Sequence, residues 1–165
     1  MKIKYLKPSQ IITLNDYPVY NEQILKLYFR MFRIGHKNLV PPCPIISKNL
    51  VIRKLDGKMK KLFKSFELKH PEAQYFLLDG SHKTTAATLF NKNIQVIIFE
   101  SDNDIKKAER MVEEGHLFSL PVGKTINLLI KALTTHFNKT KKFQTIKEKT
   151  HRMIKDKILP KYMIR

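Results

Sequence analysis

The sequence predicts a mixed α/β (or α+β) fold: a small mixed sheet with helices packed on it, followed by a helical C-terminal extension. Three observations carry this expectation. Apolar runs of strand length, such as Ile94 to Phe99, alternate with longer stretches whose apolar residues recur at helical spacing. The run Phe76-Leu77-Leu78 ends on Asp79-Gly80, and small and apolar residues then resume at helical spacing, which reads as a strand–turn–helix junction. Beyond Pro121 the pattern turns wholly helical. With 165 residues, 42% of them hydrophobic, the chain is long enough to bury a core.

Taken in order, Ile3 to Leu6 reads as an opening strand stopped by Pro8. Asn21 is a favourable N-cap for a helix to about Ile34, with an apolar stripe of Ile24, Leu25, Leu27, Tyr28, Met31 and Phe32. Gly35 ends it. Pro41, Pro42 and Pro44 exclude a helix and lead into a strand at Ile45-Ile46-Ser47. Residues 49–57 are expected to form a strand and turn, with Asp56-Gly57 as a hairpin signal. Lys58 to Leu68 leaves the choice open, although Met59, Leu62, Phe63 and Phe66 fit one helical face. Gln74 to Leu78 is the strand before the junction, Lys83 to Asn91 its helix, and Ile94 to Glu100 a buried strand. Asp102 is expected to cap a helix reaching Glu114, with Ile105, Ala108, Met111 and Val112 inward.

A further helix carries Ile126, Leu129, Ile130 and Leu133. From Asn138 onward ten basic residues face two acidic ones, and Phe143, Ile146, Met153, Ile154, Ile158 and Leu159 supply one apolar face. This reads as a basic amphipathic helix, open to three roles: binding nucleic acid, docking on a partner or on its own core, or presenting a solvated lysine-rich face. Val122-Gly123-Lys124-Thr125 has the end of a P-loop pattern, but Phe118 stands where the first glycine belongs, so it is read as a helix start.

Charge bounds the partners. Thirty-two Lys and Arg against fourteen Asp and Glu give a formal +18, which favours polyanions such as DNA, RNA or anionic lipid. A lysine-biased overall composition accounts for the same surplus. Lys141, Lys142, Lys147, Lys149, Arg152 and Lys155 are the candidate nucleic-acid contacts, directed at the backbone. The apolar runs are too short to span a bilayer, the first eight residues lack a secretory signal, and a cytoplasmic location is expected. Cys43 is the single cysteine, which excludes an internal disulfide or a cysteine-based zinc site. The six histidines show no metal-ligand spacing, so no metal ligands are assigned.

The junction Asp79-Gly80-Ser81-His82-Lys83-Thr84-Thr85 is the candidate site. A helix start offers N–H groups without intrahelical partners at the positive end of the dipole, which suits a phosphate. Gly80 permits a close backbone approach, Ser81 is a candidate cap, and Lys83 and Thr84 are candidate phosphate ligands. His82 titrates near neutrality, and Asp79 ends the strand as a carboxylate able to orient His82 or hold a metal.

Tyr75 through Ala87 resembles the signature of the ParB/sulfiredoxin-like superfamily, in which a strand ends in Asp-Gly-x-His-Arg before a helix of small residues. Leu6-Lys7-Pro8-Ser9-Gln10 resembles that family's opening segment, and Val40-Pro41-Pro42-Cys43-Pro44-Ile45-Ile46 its proline-led strand. Ile94 to Ile98 is similar to the strand after the signature helix. The resemblance covers roughly residues 1–115, so a ParB/sulfiredoxin-like domain is expected over 1–118 and a basic helical extension over 119–165. It implies a nucleotide (ATP, ADP or CTP) with its phosphates on Gly80, Ser81, His82 and Lys83, beside which Thr84 stands as the further candidate that the residues themselves suggest. If the chain is an enzyme, a small-molecule kinase, phosphotransferase or nuclease, the resemblance puts Asp79 in the chemistry; His82 is the candidate for moving protons, and phosphoryl transfer calls for a metal such as magnesium. Ser81 replaces the reactive cysteine of sulfiredoxins, and Lys83 replaces the family's arginine. Ser9 and Gln10 stand where the serine-kinase branch has a catalytic Glu, with Asp16 or Glu22 as nearby substitutes, and the Gly-Glu-Arg-Arg motif of partition proteins is absent. The leading expectation is therefore a ParB-like, nucleic-acid-associated protein with a phosphate-binding turn, and the alternative is an enzyme acting at the same turn.

Overall fold

In the computed structural model of the chain, residues 2–15, 21–115 and 125–164 are described. They form a five-stranded mixed sheet, seven α-helices and short 3₁₀ turns. The strands are β1 (Lys2–Leu6), β2 (Ile11–Ile12), β3 (Cys43–Ser47), β4 (Tyr75–Leu77) and β5 (Ile94–Phe99). The helices are α1 (Glu22–Arg33), α2 (Lys48–Ile52), α3 (Gly57–Lys69), α4 (Ser81–Leu89), α5 (Asp102–Glu113), α6 (Ile126–Thr140) and α7 (Ile146–Lys155). Strand order is β1-β5-β3-β4-β2, with β3 parallel to β5 and β2 parallel to β4, and the other two pairings antiparallel. No described helix is long and apolar enough to cross a membrane.

The inner strands are mostly apolar, with Ser47 and Gln95 as polar exceptions, because both faces of the sheet are covered. Strand residues alternate sides. Ile11, Ile45, Leu77, Val96 and Ile98 meet α1, α4 and α7 through Leu25, Phe29, Ala86, Ile146 and Met153. Their neighbours Ile12, Ile46 and Phe76 meet Val51, Met59, Phe63, Ile130, Phe137 and Phe143 on the opposite face. Ile97 and Phe99 complete that second face with Ile105, Ala108 and Leu129. Phe137 and Phe143 stack at 4.7 Å, and Phe143 meets Phe63 edge-on at 5.0 Å, so α6 and the turn after it belong to the same core as α3. The expected boundary at 118/119 and the Val122-Gly123-Lys124 stretch lie outside the described residues, as does Asp16; Thr125 caps α6, accepting from the Leu128 N–H.

Three sequence expectations need correction. Residues 49–57 form no strand: α2 occupies Lys48–Ile52, and the Asp56 carboxylate accepts from the Met59 N–H at 2.7 Å, starting α3. The hairpin signal is thus a helix cap, and burial of Val51 in the second core outweighs the strand preference of Leu50-Val51-Ile52. Ser101, ahead of Asp102, is the cap position of α5, and the Asp104 carboxylate accepts from the Glu100 and Ser101 N–H groups. Burial works to raise the Asp104 carboxyl, but these bonds hold it below its usual value. The basic tail is also interrupted. Lys141, at φ +52°, ends α6, and a capping box between Thr145 and Glu148 begins α7.

Candidate functional site: the cleft between α1 and the start of α4

The end of β4 is set by its neighbour. Leu78 donates to the Pro44 carbonyl at 3.0 Å, but Pro44 has no N–H to return, so the antiparallel ladder stops there. The chain then turns through Asp79 and Gly80 into α4. Gly80 sits at φ +104°, ψ 29°, a conformation that favours glycine. Space demands glycine as well, because a Cβ there would lie 2.6 Å from Cys43 Sγ and 3.1 Å from Lys83 Cε. The Gly80 N–H donates to Asp79 Oδ1 at 2.7 Å. Ser81, His82 and Lys83 supply the remaining first-turn N–H groups, which have no intrahelical acceptor.

A cleft of about 410 Å³ opens between this turn and α1. Asp79, Gly80, His82 and Lys83 line one wall, and Ile24, Leu27 and Tyr28 the other. Ile24 and Leu27 are 41% and 52% exposed, so an apolar strip faces the polar turn. Burial pushes the Tyr28 phenol up to about 12, with Cys43 and Asp79 adding to the effect. It therefore stays protonated at neutral pH. Burial also pushes the Cys43 thiol up to about 11, against the lowering effect of Lys83. A thiol so held is a packing group and a poor nucleophile.

His82 is half-buried, and its Nε2 is buried with no hydrogen-bond partner. Burial lowers its pKa; Asp79 opposes this and Lys149 reinforces it. The imidazole is thus biased to its neutral form, which can donate from one nitrogen and accept at the other. Lys83 is only 8% exposed, and its ammonium donates to the Pro42 carbonyl at 3.3 Å. The cleft accordingly combines one cation, one carboxylate, helix-start N–H groups and an imidazole. An oxyanion is favoured by the ammonium and the N–H groups, and the Asp79 carboxylate lies on the same wall. No cluster of three or more His, Cys, Asp and Glu able to hold a metal occurs among the described residues.

The structure therefore brings Asp79, Gly80, His82 and Lys83 together and turns Ser81 and Thr84 away. Ser81 is the first helical residue and not the cap, a position that Gly80 holds without a side chain to bond. Thr84 is buried, with Oγ1 donating to the Ser81 carbonyl. Both side chains line a narrow enclosure behind α4 with Thr13, Thr85, Thr150 and Lys149. As phosphate ligands Ser81 can serve through its N–H, whereas Thr84, whose N–H donates to the Gly80 carbonyl, is withdrawn.

The proposed nucleic-acid contacts divide in the same way. Lys141, Lys142, Lys147 and Lys155 are exposed. Lys149 is 3% exposed and faces α4, so it is not part of a solvated basic face. Arg152 is half-buried and donates to the Asn15 carbonyl at 2.9 Å. Its guanidinium ties α7 to the segment after β2.

Tyr28, Cys43 and Lys149 are site neighbours that sequence reasoning missed. Lys149 carried a signal: Ile146, Lys149, Thr150 and Met153 follow the i, i+3, i+4, i+7 spacing of one buried face. Taken together, fold and cleft define a mixed α/β protein with an anion-suited turn at a strand–helix junction. Comparison with protein-family models, curated proteins and solved structures finds no match to this chain.

Proposed function

We propose that the chain is a divergent ParB/sulfiredoxin-like protein that binds a nucleotide in the α1–α4 cleft and associates with nucleic acid through exposed lysines. The observation that carries the nucleotide reading is the pairing of the Gly80–Lys83 turn with the apolar strip of Ile24, Leu27 and Tyr28 across one cleft. Phosphates sit at the first-turn N–H groups and Lys83, and the flat ring lies on the α1 side. Asp79 would hold a magnesium ion there, which would supply positive charge to the phosphates. Titration of the full chain with ATP, ADP and CTP, with and without magnesium, followed by amide NMR, tests this. Saturable shifts at residues 79–83 that Lys83→Met weakens support it; no shift there with any of the three refutes it.

Nucleic-acid association rests on the formal +18 charge and on the exposure of Lys141, Lys142, Lys147 and Lys155. Binding of labelled DNA and RNA should weaken steeply with salt, with a log–log slope of about −0.9 per duplex phosphate contacted. Affinity that is absent, or indifferent to salt, removes this half of the reading.

A second reading, phosphoryl transfer, is favoured by one observation: the Asp79 carboxylate lies at the turn itself, bonded to the Gly80 N–H. There Asp79 holds the metal or accepts the acceptor's proton, and His82 lies beside it. Asp79→Asn should abolish turnover under this reading and leave nucleic-acid affinity unchanged.

A further inference from the structure

A second cavity, of about 430 Å³, shares a single lining residue with the α1–α4 cleft, and that residue is Lys83. The topology assembles it from separate parts of the chain. Tyr5 comes from the outer strand β1, Phe32 from the end of α1, Lys37 from the stretch before β3, and Lys92 and Asn93 from the turn between α4 and β5. Cys43, directly beneath Gly80, lies in the wall along with Lys83.

The charge pattern differs from that of the first cleft. Among the described residues three lysines, Lys37, Lys83 and Lys92, line the second cavity, and no Asp or Glu does. Amide side chains of Asn91, Asn93 and Gln95 add hydrogen-bonding groups along the same rim. The first cleft holds one lysine and a carboxylate. Lys83 is the buried member of the three, and among the described residues its ammonium donates one hydrogen bond, to the Pro42 carbonyl, and pairs with no carboxylate. An ammonium carries three donors, and a buried cation is held best when a counter-charge satisfies them. A concave site with like charges converging on low-dielectric walls concentrates the opposite charge.

We propose that this cavity is a binding site for a small polyanion, a compact molecule carrying two or more phosphate or carboxylate groups. Lys83 holds it from within, Lys37 and Lys92 hold it from the rim, and the amides of residues 91–95 orient it. The site shares Lys83 with the α1–α4 cleft, so a polyanion held here competes with nucleotide phosphates for that one ammonium. Its concavity and its buried cation favour a small molecule over a nucleic-acid backbone, which exposed lysines alone would serve.

The test is an amide NMR titration of the full chain with inorganic pyrophosphate and, separately, with citrate. The expected result is saturable shifts at Lys37 and at residues 91–95 with at least one of the two; the anion that saturates first identifies the phosphate or carboxylate class. Replacing both rim lysines, Lys37→Ala with Lys92→Ala, removes exposed side chains without touching the core and should weaken that binding at least about fivefold. Lys147→Ala with Lys155→Ala, on α7, should leave it unchanged. Shifts that fail to saturate with both anions, or an affinity that the rim variant does not alter, overturn the proposal. So does a short DNA duplex that binds the same amides more tightly than both anions. Shifts confined to residues 79–83 also overturn it, while supporting the first cleft as the anion site.

Discussion

Gly80→Ala tests the geometry of the junction most directly. The substitution forces an L-residue to φ +104°, and the left-handed region costs an ordinary side chain about 1–2 kcal/mol. Its Cβ would also stand 2.6 Å from the Sγ of Cys43, which is 1% exposed and has nowhere to retreat. Relief of such an overlap in a packed core typically costs about 1–3 kcal/mol. The sum is about 2–5 kcal/mol, which leaves the protein folded if its stability lies in the usual range of about 5–15 kcal/mol. Equilibrium urea denaturation followed by circular dichroism should show the midpoint falling by about 1–3 M. Cys43→Ala separates the two contributions. Alone it should cost about 1 kcal/mol for the lost sulfur contacts. Combined with Gly80→Ala it should return the overlap share, so that the two changes couple by about 1–3 kcal/mol. If Gly80→Ala stays within about 0.5 kcal/mol of the native chain, or if the two losses simply add, the close approach of Cys43 is refuted.

Three further outcomes are expected. Burial, with Lys149 assisting and Asp79 opposing, keeps the folded-state pKa of His82 below its unfolded value. The unfolded chain then binds more protons, so stability should fall as pH drops below about 6.5 and level off once the folded-state value is passed. Lys149→Met should raise the His82 midpoint in an NMR titration; an unchanged midpoint would show that Lys149 does not act on the ring. Phe143→Ala, which removes a ring stacked on Phe137 and edge-on to Phe63, should cost about 3–5 kcal/mol in one cooperative transition, and a biphasic melt would refute the shared core.

The elements that the sequence made legible are those whose local signals agree with their packing. Asn21 caps α1 as its position suggests, accepting from the Gln23 and Ile24 N–H groups, and Gly35 follows at φ +85°. The apolar run of β5 matches a strand covered on both faces, with Val96 and Ile98 in one core cluster and Ile97 and Phe99 in another. Residues 49–57 were misleading because a β-branched run and an Asp-Gly pair carry meanings that only the tertiary context separates. In the site, spacing itself holds what a linear reading of the junction loses. Ser81, Thr84 and Thr85 stand at i, i+3 and i+4 and share one face of α4, while Gly80 and Lys83 share another. A contiguous motif is thus split by the rotation of the helix. Tyr28 and Cys43 come from segments 51 and 36 residues before Asp79 and meet it only through the sheet order.

The two-residue strand β2 has one more consequence. On one side it pairs with β4; on the other, Ile12 bridges Thr145, and the Thr13 N–H donates to the Gln144 carbonyl at 3.0 Å. Asn15 extends the seam to Thr140 and Lys142. These partners are separated by more than 120 residues, as the Asn15–Thr140 bond shows with its span of 125. Closing so large a loop adds little to the equilibrium cost, since that cost grows only with the logarithm of length, but it slows folding. During synthesis at about 5–20 residues per second, the first fifteen residues wait on the order of ten seconds for their C-terminal partners to emerge. Lys149 arrives with those partners. The sheet and the Gly80 turn are thus complete in sequence before the support behind α4 exists, and the turn reaches its final electrostatic setting only when the last helix closes the seam.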